Sequence, residues 1–142
     1  TEVSKLDSEV LDYYVIDPEW KIKTILLHIA KASNNYGQFI NGVTETEPLE
    51  LEEPSSSDDI KVLTDKLYEI DQGLIDNQGI GDVDLTIKMR SGVKEHKSST
   101  IFSQMVFHAA EHRAQIVAAL DRHNVRSINL DDYDVWSYIR AH

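Results

Sequence analysis

Two histidines four residues apart, His108 and His112, are the residues best placed to do chemistry. They lie in Phe107-His108-Ala109-Ala110-Glu111-His112-Arg113-Ala114-Gln115. Four residues along an α-helix rise roughly 6 Å and turn about 40° past one full revolution, so both imidazoles share a face. Each nitrogen could then sit about 2.0–2.1 Å from one zinc-sized ion. Ile101 and Met105 precede the pair on that face, and Ile116, Ala119 and Leu120 follow it. This is the buried stripe of an amphipathic helix. A single histidine on such a stripe is ordinarily a hydrogen-bonded core residue. A pair at ligand spacing favours metal binding.

The ligand chemistry available is narrow. The 142-residue chain has no cysteine, which removes disulfides and thiolate ligands. A metal must be held by His, Asp, Glu or water, which favours zinc, nickel, manganese or iron over copper(I). The formal net charge of −11 opposes phosphate backbones and anionic lipid, so neither nucleic acid nor membrane is expected as a partner. No apolar run approaches the roughly 20 residues of a membrane span, and no signal-peptide pattern opens the chain. The expectation is one cytoplasmic domain over residues 1–142, because length and 41% apolar content suit a single core.

The elements that must position the pair can be taken in order. Val3, Leu6, Val10 and Tyr14 have helical spacing in a short segment. Asp17-Pro18 breaks it, and the next helix is expected to run from there to Asn41-Gly42. Its inner face reads Ile22, Ile25, Ile29, Ala32, Tyr36, Phe39 and Ile40, and His28 falls on it. Thr44 to Asp59 is an acidic linker, read as a solvated loop rather than a cation-attracting patch. A third helix, from about Asp58 to Gln78, carries Ile60, Leu63, Leu67, Ile70 and Leu74 inward and ends at Asn77-Gln78-Gly79. Asp65 and Asp71 are expected to face solvent.

From Gly81 the period changes. Val83, Leu85, Ile87 and Met89 alternate with polar residues, and Ser91-Gly92 could turn a small hairpin. A lone hairpin is marginal in water, so an irregular crossover is the other option. The central helix is expected from about Ser99 to Asn124. A last helix, capped by Asp131 or Asp132, would turn Tyr133, Trp136 and Ile139 toward the body. The sum predicts an all-α, up-and-down four-helix bundle with an irregular or short hairpin crossover before the ligand helix.

Three segments carry a family resemblance. Ile25-Leu26-Leu27-His28-Ile29-Ala30 resembles the "lxHIA" segment of the DinB/YfiT-like family. His108 through Ile116 resembles its "HxxxHRxQI" segment, and Asp134-Val135-Trp136-Ser137-Tyr138-Ile139 is similar to its terminal "D-x-x-x-Y-h". The most specific part is His112-Arg113-x-Gln115-Ile116. The resemblance implies a four-helix bundle, often dimeric, holding a divalent metal through His28, His108 and His112. It also implies a long helix ahead of the His28 helix, of which Thr1 to Tyr14 would hold only the tail. Family members include thiol S-transferases that use low-molecular-weight thiols and a maleylpyruvate isomerase.

Three neutral histidines leave coordination positions open for chemistry. Glu111 and Gln115 are the nearest candidates to orient them, with Gln104 and Asn34 also available in sequence. His123 and His142 have no companion at ligand spacing, and His96, in a polar, lysine-flanked stretch, is expected to be exposed. A rival pattern, His108-x-x-Glu111-His112, matches the inverted zinc-protease signature with Glu111 as general base. That chemistry needs a downstream carboxylate ligand, and the thirty residues after His112 contain no glutamate. The three histidines imply a metal-dependent enzyme acting on a small molecule, and the resemblance implies that it is of thiol S-transferase or hydrolase type, with a low-molecular-weight thiol as one reactant. Zinc or nickel would be its ion, with manganese or iron also compatible. The alternative is a non-catalytic, metal- or ligand-binding dimeric bundle. A substrate-sized pocket beside an open metal position would separate the two.

Overall fold

The computed structural model describes residues 3–76, 81–89 and 91–141. Three long helices, α1 (Ile22–Ile40), α2 (Ser57–Asp76) and α3 (Ser98–Arg122), build the body. An antiparallel hairpin, β1 (Asp84–Met89) and β2 (Gly92–Lys97), joins α2 to α3, and a short α4 (Val135–Ala141) follows a 3-10 turn at Leu130–Tyr133.

The expected all-α four-helix bundle is therefore not what forms. Its first helix is replaced by two short 3-10 turns, Val3–Lys5 and Ser8–Asp12, separated by Asp7 in extended conformation. Adjacent Val10 and Leu11 are both buried there, and they join Ile22, Ile25, Ile29, Ile60, Ile116, Ala119 and Leu120 in the main core. A segment this short gains too few internal hydrogen bonds to hold an α-helix, so the packing of its apolar side chains on the core sets its path.

The short hairpin, one of the two expected crossovers, does form and is the second reason the chain is not all-α; packing explains why it is stable. Asp84 pairs with Lys97 and Met89 with Gly92, which sends Leu85 and Ile87 to one face. Both are buried against Ile101 of α3 and flanked by Tyr36, Phe39 and Ile40 of α1. The hairpin is thus not alone in water; it lies on the ends of two helices.

The helix ends show how the sequence fixes lengths. Pro18 lies in a turn, where the Glu19 N–H donates to Asp17 Oδ1, and α1 starts only at Ile22. It closes in a Schellman motif: Gly42 has φ of 82°, Val43 N–H reaches Gln38 O at 2.9 Å, and Gly42 N–H reaches Phe39 O. Asn124, at φ of 63°, closes α3 the same way, with Val125 N–H bonded to Leu120 O. Ser56 caps α2, accepting from Asp59 N–H, while Asp59 accepts from Ser55 N–H. The stop expected at residues 77–79 lies outside the described residues. Asp82 caps the start of α3: its carboxylate accepts from Ser99 N–H at 3.0 Å.

The acidic linker is tied down along α1. Gln38 exchanges two hydrogen bonds with the Glu47 backbone, Asn34 donates to Glu47 O, and Lys88 pairs with Glu45 at 2.9 Å. At the C-terminal end, Tyr133, Trp136 and Ile139 do not turn inward; each is more than half exposed. The side chains of Val135 and Tyr138 lie outside what is described. Among the described residues, no helix is long and apolar enough to cross a membrane.

Candidate metal centre

α1 and α3 pack side by side, and each presents histidine where they face one another. His28 stands one turn after Ile25 and next to Ile29, both buried. His112 is itself buried, at 7% exposure, one turn before buried Ile116. His108 lies a further turn back along α3, partly exposed. Eighty residues of sequence separate His28 from His108, yet their Nε2 atoms are 3.0 Å apart. His112 Nε2 lies 3.2 Å from the same His108 atom. All three ligand atoms fall within 4.8 Å of one another.

This arrangement suits a cation. A neutral Nε2 offers either one proton or one lone pair, so His108 cannot bond well to both neighbours at once. An ion at the common point would satisfy three lone pairs together. The separations of 3.0 and 3.2 Å are short enough for each pair of nitrogens to sit at about 2.0–2.1 Å from one ion. Three histidine ligands would leave positions free for other ligands.

The surroundings hold the rings in place. Gln115 Oε1 is 2.8 Å from His112 Nδ1, one turn on along α3. With the proton on Nδ1 donated to that oxygen, Nε2 is left as the lone-pair atom. Trp20 touches two of the rings, edge-on to His28 at 5.2 Å and stacked on His112 at 5.8 Å. Tyr36 meets His108 edge-on at 5.8 Å. Burial pushes the pKa of His28 below the usual 6.5, and the charge of His112 adds to it. Burial does the same for His108, helped by His112 and His28 and opposed by Glu111. Both shifts favour the neutral imidazole that a metal requires.

Beside the cluster is a cavity of about 580 Å³, within the usual size for a small-molecule site. It is lined by Trp20 and His112 together with Asp17, Ile25, Glu111 and Gln115. Glu111 is exposed and reaches the cavity wall rather than a ring nitrogen. Asn34 is occupied at Glu47 and takes no part. His123 stacks on Tyr13 at 3.8 Å, away from the cluster, and His96 sits on β2 opposite Leu85.

Sequence reasoning named the three histidines and Gln115 but passed over Trp20, Tyr36 and Asp17. Tyr36 had a signal, since it lies two turns after His28 on the same face. Trp20 and Asp17 sit in the turn before α1, where no periodicity points to them. No protein-family model, curated protein or solved structure matches the chain.

Proposed function

We propose that His28, His108 and His112 hold one divalent ion, zinc or nickel in preference to manganese or iron, and that the site acts on a small molecule. The observation that carries this reading is the meeting of three Nε2 atoms from two helices, with separations of 3.0 and 3.2 Å. When bound, such an ion supplies Lewis acidity and lowers the pKa of a thiol or water. The chain's own part is to hold three neutral imidazoles, to fix the His112 tautomer through Gln115, and to shield one side of the cluster with Trp20.

Catalysis is favoured over a purely structural ion by the cavity beside His112, which offers a small molecule access to the cluster. The likeness of residues 25–30 and 108–116 to the DinB/YfiT-like family supports the same reading, with a low-molecular-weight thiol as one reactant. In this reading the likeness extends to the ligand set and not to the four-helix architecture. The test is elemental analysis of protein purified without an affinity tag. About one divalent ion per chain is expected, lost on chelation and regained on addition of zinc. Protein that takes up no ion at neutral pH would overturn the proposal.

A further inference from the structure

The cavity beside the histidines has a charge pattern of its own. Its body is apolar: Val15, Ile16, Ile25, Trp20, Ala114 and Ala118 line it. Among the described residues that line it, the charged side chains are Asp17 and Glu111, both carboxylates, and there is no lysine or arginine. Arg122 donates to the carbonyl of Val15 but does not line the cavity. Lys21 and Lys23, which follow Trp20, are both paired with Asp12 at 2.9 Å. The chain as a whole carries −11, which deepens the negative potential at any partly enclosed surface.

From this we infer that the cavity selects an apolar small molecule bearing an ammonium or other cationic group, and disfavours carboxylates and phosphates. The inference rests on the proposed metal reading for where the reactive end of the molecule sits. That end would face the histidine cluster, the apolar body would lie along Trp20 and Ile25, and the cationic end would meet Asp17 and Glu111. A carboxylate or phosphate placed beside Asp17 and Glu111 meets two exposed like charges and no lysine or arginine, and an ion at the histidines would draw it to that end of the cavity instead. An ammonium in the same place gains two partly exposed charge contacts. The substrate class is therefore a hydrophobic amine with a metal-seeking group, a thiol for example. Thiols whose far end carries carboxylates fit this wall poorly.

The test uses phenylmethanethiols of matched size bearing a para-aminomethyl, para-ethyl or para-carboxylate group. Their affinities are measured by titration calorimetry on the full chain, both zinc-loaded and metal-free, with zinc content determined for each sample. The aminomethyl compound is expected to bind roughly tenfold more tightly than the carboxylate, the combined scale of two partly exposed charge contacts, with the ethyl compound between them. The double variant Asp17→Asn, Glu111→Gln should bring the three affinities together. Asparagine keeps the oxygen that accepts from Glu19 N–H, so the turn before α1 is retained. Zinc-loaded protein that prefers the carboxylate, or binds all three alike, overturns the charge inference and leaves the metal site standing. A chain that retains no zinc but keeps the ammonium preference defeats the metal reading and supports the cavity's selectivity. Failure of every probe to bind either form overturns the inference, as does a charge order unchanged in the double variant.

Discussion

Gln115 Oε1 sits 2.8 Å from Nδ1 of His112, one helical turn away on the same helix. That contact decides which nitrogen of His112 is free. The Nδ1 proton is engaged by the amide oxygen, so Nε2 presents its lone pair toward His108 and His28. Without it, His112 could turn or exchange its proton at little cost, and the convergence of three lone pairs would become one arrangement among several.

The first prediction follows from that contact. Gln115→Leu should weaken zinc affinity by roughly 10- to 100-fold, the usual cost of losing a group that orients a metal-bound histidine. Gln115→Glu keeps an oxygen acceptor and should retain most of the affinity. Competition with a chromophoric chelator gives both values. Equal affinity in wild type and the leucine variant would show that Gln115 is a bystander.

A second prediction concerns the hairpin. Ile87 is fully buried, packed with Leu85 and Ile101. Ile87→Ala should cost about 2–5 kcal/mol, the range for truncating a buried aliphatic side chain. Thr86→Ala, on the exposed face of the same strand, should change stability little. Denaturant unfolding of both variants makes the comparison. Similar small losses in the two would mean that the hairpin is a loose crossover rather than part of the folded body.

How far the sequence disclosed this fold depends on the element. α1, α2 and α3 were legible because each buries a long stripe at helical spacing, and their ends carry recognisable residues such as Gly42 and Asn124. The hairpin showed its alternation at Leu85 and Ile87, but its stability depends on Phe39, Ile40 and Ile101, which are remote in sequence. The N-terminal segment misled because Val3, Leu6 and Val10 match a helix, while burial of Leu11 beside Val10 is set by the core it wraps. At the site, ligand spacing within α3 exposed His108 and His112, and helical register placed His28. Trp20 and Asp17 reach the site through a turn, for which spacing gives no rule.

The third prediction is the dependence on pH. His28 and His108 have folded pKa values lowered from 6.5, by burial first and then by neighbouring histidine charge. A lowered folded pKa means that the unfolded chain binds more protons in the window between the two values. The stability these rings contribute in the metal-free protein is thus complete above the unfolded value and is lost as pH falls through the folded one. Melting temperature of metal-free protein should rise with pH across this window, and the variant His28→Ala, His108→Ala should lack that part of the rise. Zinc affinity should fall on acidification over the same range as protons compete for the rings, beginning below the pH at which a free imidazole titrates. A metal-free melting profile identical in the double variant would remove these histidines from the pH response.

The last prediction separates a shared ion from three packed side chains. His28→Ala, His108→Ala and His112→Ala should each lower zinc affinity by orders of magnitude, because two imidazoles hold a divalent ion far less well than three. Their effects should be non-additive, since little affinity remains for a second substitution to remove once one ligand is gone. Zinc stabilises by mass action in proportion to its affinity, so each variant should lose most of the zinc-dependent rise in melting temperature. Without zinc, the penalties should be smaller for partly exposed His28 and His108 than for buried His112, which also gives up its bond to Gln115. His123→Ala is the control, because that ring stacks on Tyr13 and takes no part in the cluster. His28→Ala is the decisive variant, for that side chain comes from a different helix and reaches the pair only through the packing of α1 on α3. If zinc affinity were unchanged there, the ion would belong to His108 and His112 with ligands other than His28.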